Sequence, residues 1–190
     1  MAKVVDVISS HRFTFTTGAV TTIAAGTATA GHIMALRNAT SGKYLRLRTF
    51  EPEFILTTAF GAAQEVGFDA FKATGYTAPH TGATALTVTG GKGITTYDST
   101  IATGRIADAG ALTAGTHTLD ANPFARGSLW CAAIGAGMTQ RVYNLSGNET
   151  GGIILANEEG IVVRNTILMG ATGVGKWHFT IEIDTVIVTG

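Results

Sequence analysis

The clearest pattern in the chain is strict alternation near its C-terminal end. Trp177, Phe179, Ile181 and Ile183 alternate with His178, Thr180, Glu182 and Asp184. A period of two places the first set on one face of a strand and the second on the other. It predicts an antiparallel strand with one buried and one wetted face. Arg12-Phe13-Thr14-Phe15-Thr16 repeats the pattern with both Phe on one side, and Lys43–Arg48 repeats it with Leu45 and Leu47 inward. Further strands are predicted over His32–Asn38, Glu53–Phe60, Val66–Thr74, Ser128–Ile134, Gln140–Leu145, Gly152–Ala156 and Gly160–Met169. Ala59–Lys72 also admits a short helix, because Ala62, Ala63, Gln64 and Glu65 all tolerate one.

About eight to ten strands joined by Gly-rich turns predict an all-β fold, an antiparallel β-sandwich of jelly-roll-like form, in one domain spanning 1–190. Residue usage agrees: Gly (25) and Thr (31) dominate while Pro is rare (3), a mixture of turn and strand formers. Residues 75–125 are weakly patterned and rich in Gly, Thr and Ala. They read as long loops carrying one or two short strands. Residues 1–10 read as an N-terminal arm. Val4, Val5, Val7 and Ile8 are too apolar for a free tail, so the arm is expected to pair with an edge of its own sheet or to dock on a neighbour.

Charge changes the picture of the surface. Hydrophobic residues make up 45% of the chain and charged residues 14%, against roughly 25% charged in ordinary soluble domains. Part of the surface is therefore expected to be covered by copies of the chain or by a partner. Lys plus Arg (13) balances Asp plus Glu (13), which leaves no basic excess for phosphates and argues against nucleic acid as a partner. No apolar run reaches the ~18 residues of a membrane span, and the N-terminal residues carry no secretory apolar core. The expected compartment of folding is a cytoplasm, with no membrane partner. The single cysteine, Cys131, lies in the apolar run Leu129–Ile134 and reads as a buried small hydrophobe.

Candidate chemistry is sparse. Gly170-Ala171-Thr172-Gly173-Val174-Gly175-Lys176 fits the spacing of a phosphate-cradling loop. The next residue, however, is Trp177 in place of a metal-binding hydroxyl, and the residues after it alternate as a strand rather than opening a helix. A Gly-rich hairpin loop is the expected structure. The five histidines, His11, His32, His80, His117 and His178, stand singly, with none of the close spacings of a zinc motif. Glu158 and Glu159 are adjacent, so on a strand end they point apart, and a solvated turn is expected. Cys131 has no base beside it in sequence, and no nucleophile-elbow motif occurs. Asn38-Ala39-Thr40, Asn144-Leu145-Ser146 and Asn148-Glu149-Thr150 match the glycosylation sequon by chance in so Thr-rich a chain. No catalytic, cofactor-binding or metal-binding residue is assigned, and neither an enzymatic activity nor a cofactor is expected.

Three stretches together resemble bacteriophage virion proteins of jelly-roll-like fold. The first is Ala35-Leu36-Arg37-Asn38 followed by Tyr44-Leu45-Arg46-Leu47-Arg48. The second is Phe71-Lys72-Ala73-Thr74 leading into Thr81–Thr87. The third is Glu158-Glu159-Gly160-Ile161-Val162-Val163-Arg164-Asn165 with the Gly-rich loop and final strand. The likeness spans roughly residues 32–188 and is one of strands and turns, so no functional residue transfers with it. It implies a capsid decoration, or cement, protein: a homotrimer on the capsid surface that stabilises the assembled head by bridging major capsid subunits. A receptor- or glycan-binding module of a tail or fibre is the alternative. The coiled coil or β-helix repeat common in fibres is absent from the sequence.

Overall fold

The computed structural model describes residues 6–16, 21–23, 28–86, 102–108, 110–131, 137–138, 142–145, 151–170 and 172–189, with backbone alone at 6–16, 21–23, 137–138 and 187–189. Among the described residues there is no helix, and fourteen strands form two antiparallel sheets. In the first sheet β1 (Asp6–Thr16) lies beside β14 (Val174–Thr189), which lies beside β4 (Tyr44–Thr58). The far edge of β4 is shared by β10 (Gly137–Met138), β11 (Tyr143–Asn144) and β12 (Ile153–Leu155), while β2 (Thr21–Ile23) pairs with β14. The second sheet runs β6 (Thr84–Ala85), β7 (Ala102–Ile106), β3 (His32–Asn38), β13 (Gly160–Asn165) and β5 (Gln64–Ala78). The outer edge of β5 is shared by β8 (Thr116–Leu119) and β9 (Ala125–Cys131). The expected β-sandwich is the architecture found.

The alternation in β14 is what joins the sheets. Trp177, Phe179, Ile181 and Ile183 are all fully buried. Trp177 stacks on Phe179 with ring centroids 5.7 Å apart, and Phe179 stacks on Phe50 of β4 at 5.6 Å. From the opposite sheet Phe68 meets Trp177 edge-on at 5.3 Å and Phe50 at 5.9 Å. These tilted and offset contacts add to the area term of burying large rings. Leu45 and Leu47 are inward as their alternation predicts, and both are fully buried.

Asp184 departs from the pattern. The alternation assigns it to the wetted face, yet it is fully buried. The β14–β4 register shifts between Glu182 and Ile183 and sets Asp184 opposite Arg46. Nε and Nη2 of Arg46 donate to its Oδ2 at 3.1 and 2.6 Å, and Nη1 of Arg48 donates at 3.3 Å. Burial of this carboxylate is tolerable because two guanidinium groups replace its water.

Other differences have equally local causes. The strands expected at Lys43–Arg48 and Glu53–Phe60 are one continuous β4. Pro52 falls between the residues paired with β11 and those paired with β10, where one partner strand gives way to the next. The helical option for Ala59–Lys72 is not taken, since Gln64–Ala78 is strand. There Val66, Phe68 and Ala70 are buried on one face and Phe71 on the other, where Arg164 lies 4.2 Å over its ring. The described residues of 75–125 hold three short strands, β6, β7 and β8, with the ends of β5 and β9. Residues 87–101 and 109 of that stretch lie outside the described residues. Of the arm, Asp6–Ser10 belongs to β1 and pairs with β14 from Asp6 opposite Thr189 onward. It thus completes a sheet of its own chain, and residues 1–5 lie outside the described residues.

Truncating Phe179 to Ala removes a ring buried between both sheets. It is expected to cost about 3–5 kcal/mol in urea unfolding. A loss below about 0.5 kcal/mol, the scale of a surface change, would contradict the packing described.

Candidate functional site

At the end of β5 the chain passes through Ala78 and Pro79 and folds back. Thr81 and Thr113 exchange two backbone hydrogen bonds of 3.2 Å, and the Leu112 N–H donates to the His32 carbonyl at 2.8 Å. Ala78 is registered opposite Thr116 of β8. Gly115 permits this crossing, because a Cβ there would sit 2.3 Å from the Ala78 carbonyl oxygen. Three separate segments are thereby sewn together, and each carries one histidine: His32 opens β3, His80 follows β5, and His117 lies in β8.

The three rings converge. Nδ1 of His32 lies 2.6 Å from Nε2 of His80, and one ring nitrogen from each histidine falls within 4.8 Å of the others. Ring centroids are 4.8 to 5.4 Å apart. The Tyr76 hydroxyl is hydrogen-bonded to Nδ1 of His80. One proton order runs the length of this relay: if the phenol donates to His80, Nε2 of His80 donates onward to His32, and the reverse order is equally consistent. Nδ1 of His117 is buried without a hydrogen-bond partner.

Burial governs the protonation of the cluster. It pushes His80 down to about 3, with His32 and His117 adding to the effect. It pushes His32 down to about 4, helped by His117 and Arg164. His117 is lowered by burial as well, with the Gly115 backbone opposing the shift. Burial raises Tyr76 to about 12, against the opposing effects of His80 and Arg37, so its phenol keeps its proton. At neutral pH the site is three uncharged imidazoles and a phenol.

Beside the cluster lies a groove of about 560 Å³ whose lining includes Arg37, Tyr76, His80, Leu86 and Arg105. Nη1 of Arg105 donates to the carbonyls of Gly82 and Ala83 at 2.9 and 3.2 Å, which holds the turn before β6 against the groove. The Arg37 guanidinium lies 5.8 Å from the Tyr76 ring, and its Nε is buried without a hydrogen-bond partner. The groove thus presents two cations, a phenol and an imidazole.

The segments singled out by motif lie elsewhere. Gly170–Lys176 leads into β14, so a strand stands where a phosphate loop needs a helix. Its glycines answer to packing: a Cβ at Gly173 would fall 1.8 Å from Phe60, and one at Gly175 2.0 Å from Phe54. Cys131 is buried, which raises its thiol pKa. Glu158 takes a positive φ of 59° in the turn before β13, while Glu159 pairs with Lys72 at 3.0 Å. Asn38 is fully buried and donates through Nδ2 to the carbonyls of Lys43 and Leu155, so it has no room for a glycan. Asn144 is exposed in β11, and Asn148 lies outside the described residues. His178 sits in β14, on the other sheet from the cluster, and His11 lies in β1, which is described by its backbone alone. Residue spacing carries no sign of the cluster, since His32 and His80 are 48 positions apart and the crossing that unites them is built from backbone bonds.

Compared with known proteins, the chain matches no family model, no curated protein and no solved structure. The functional reading therefore rests on the residues themselves.

The depressed histidines set a pH window for the metal-free protein. Unfolded imidazoles protonate near pH 6.5 and the folded ones only near 4 and 3, so the unfolded chain binds more protons between these values. The contribution is complete above about pH 6.5 and is lost as pH falls through the window. Thermal melting in the presence of chelator should drop progressively between pH 6.5 and 4. A melting temperature flat across that range would contradict burial of neutral rings.

Proposed function

We propose that the chain is a non-catalytic structural component of a virion, a capsid decoration protein of jelly-roll-like fold. It would be made in the host cytoplasm and would bind the outer surface of the assembled head as a trimer, bridging major capsid subunits. The observation that carries the reading is Trp130. This residue stands 65% exposed on β9, at the edge of a sandwich whose inner aromatics are closed off from water. Leu168 (59%) and Val142 (54%) are exposed as well. Large exposed aromatics at a rigid sheet edge are typical anchors of protein interfaces, and a surface poor in charge loses little on being covered. Many weak contacts of this kind, repeated around a trimer and over a shell, add by multivalency.

A second reading, a receptor- or glycan-binding module of a tail or fibre, is favoured by the groove. Arg37 and Arg105 would face an acidic group and Tyr76 the face of a sugar ring.

The purified chain should run as a trimer in gel filtration with light scattering. Added to heads assembled without it, it should saturate the surface and raise their resistance to heat. Trp130→Asp should keep the melting temperature but bind heads at least about tenfold more weakly, as expected for an interface anchor. A monomer that leaves heads unbound would overturn the decoration reading. Acidic-glycan binding that disappears in Arg37→Ala would move the assignment to the second.

A further inference from the structure

The histidine cluster supports an inference independent of the virion reading. The geometry points to His32, His80 and His117 as a binding site for a first-row transition-metal dication of the Zn²⁺ type, held by three imidazoles with one coordination position left to solvent or an anion.

Four observations carry it. First, three imidazole nitrogens already lie within 4.8 Å of one another. Tetrahedral zinc with bonds of 2.0–2.1 Å needs neighbouring ligand atoms about 3.3 Å apart. One pair is nearer than this at 2.6 Å and no pair is wider than 4.8 Å, so the separation zinc requires falls within the range the cluster spans. Second, the donor set is purely imidazole, which suits zinc and its neighbours and not the oxygen-seeking Mg²⁺ or Ca²⁺. Third, metal on Nε2 of His80 leaves Nδ1–H to donate to the Tyr76 oxygen, the outer hydrogen bond that fixes ring orientation in such sites. Fourth, Nδ1 of His117 is a buried polar atom that the protein leaves unpartnered.

The surroundings define the remaining position. Arg164 bears on His32, and Arg37 lies over Tyr76. These cations disfavour a bare dication and favour one that carries an anion. His80 and Tyr76 line the groove, so such a ligand has a path to the metal. A bound ion would also tie together β3, the turn after β5 and β8.

The test uses the untagged full chain, stripped with chelator and titrated with Zn²⁺ by calorimetry and with Co²⁺ by visible absorption. One ion per chain is expected, with an intense low-symmetry cobalt band that Zn²⁺ displaces. Tyr76→Phe should weaken Zn²⁺ binding about 10–100-fold, and His32→Ala and His117→Ala by more than about 100-fold. His178→Ala should bind like the parent. Near-ultraviolet circular dichroism identifies variants that remain folded. If His80→Ala or His32→Ala does not fold, His117→Ala, at a half-buried position, and the cobalt spectrum of the parent still decide. A parent that gives no such band and binds Zn²⁺ more weakly than about 0.1 mM would overturn the site. So would a folded His117→Ala with parental affinity.

Discussion

Everything in this fold depends on the two faces of β14 being satisfied by different means. Its inner face is a row of apolar side chains, Trp177, Phe179, Ile181 and Ile183, that fixes the distance and angle between the sheets. Its outer face holds a buried carboxylate, Asp184, that Arg46 and Arg48 reach from β4. The apolar row supplies most of the driving force. The ion cluster sets register instead, because a slip of one residue would leave a buried charge without its partners.

That frame is rigid enough to hold irregular backbone against it. The segment after β5 could not cross the second sheet unaided. It is held by Leu112 and Thr113, which bridge His32 to Thr81, and by the space that Gly115 leaves. The histidine cluster is thus a by-product of how a loop is anchored, and the groove with Arg37 and Arg105 is its open side. Both lie on the second sheet. The exposed Trp130 lies on that sheet too, on a different strand.

The sandwich was legible because period-two alternation is a local signal. Phe179 and Leu45 face inward as their neighbours dictate, but the Gly-rich stretch before Trp177 is not the expected hairpin loop: β13 and β14 do not pair, and the stretch passes from one sheet to the other. Asp184 was not legible, since its burial depends on arginines 138 and 136 residues away. The continuity of β4 was not legible either: Pro52 sits inside it, and it is accommodated where two short partners exchange places. The histidine cluster left no trace in the spacing of its members. Its atoms are gathered by hydrogen bonds between backbone groups, and those depend on conformation rather than side-chain identity.

The partnership of β1 with β14 has a consequence for biosynthesis. Asp6–Thr16 is the first described strand to leave the ribosome, and its ladder is with the last. The long ladder of β4 has the same partner. Until Val174–Thr189 has been made, the first sheet lacks its middle, and the inner residues of β4 have only the short strands beside them. Loop closure over so many residues is slow, and open strand edges recruit other chains in the interval. The time between synthesis of β4 and completion of β14 is thus an interval in which the half-built sheet is exposed to its neighbours.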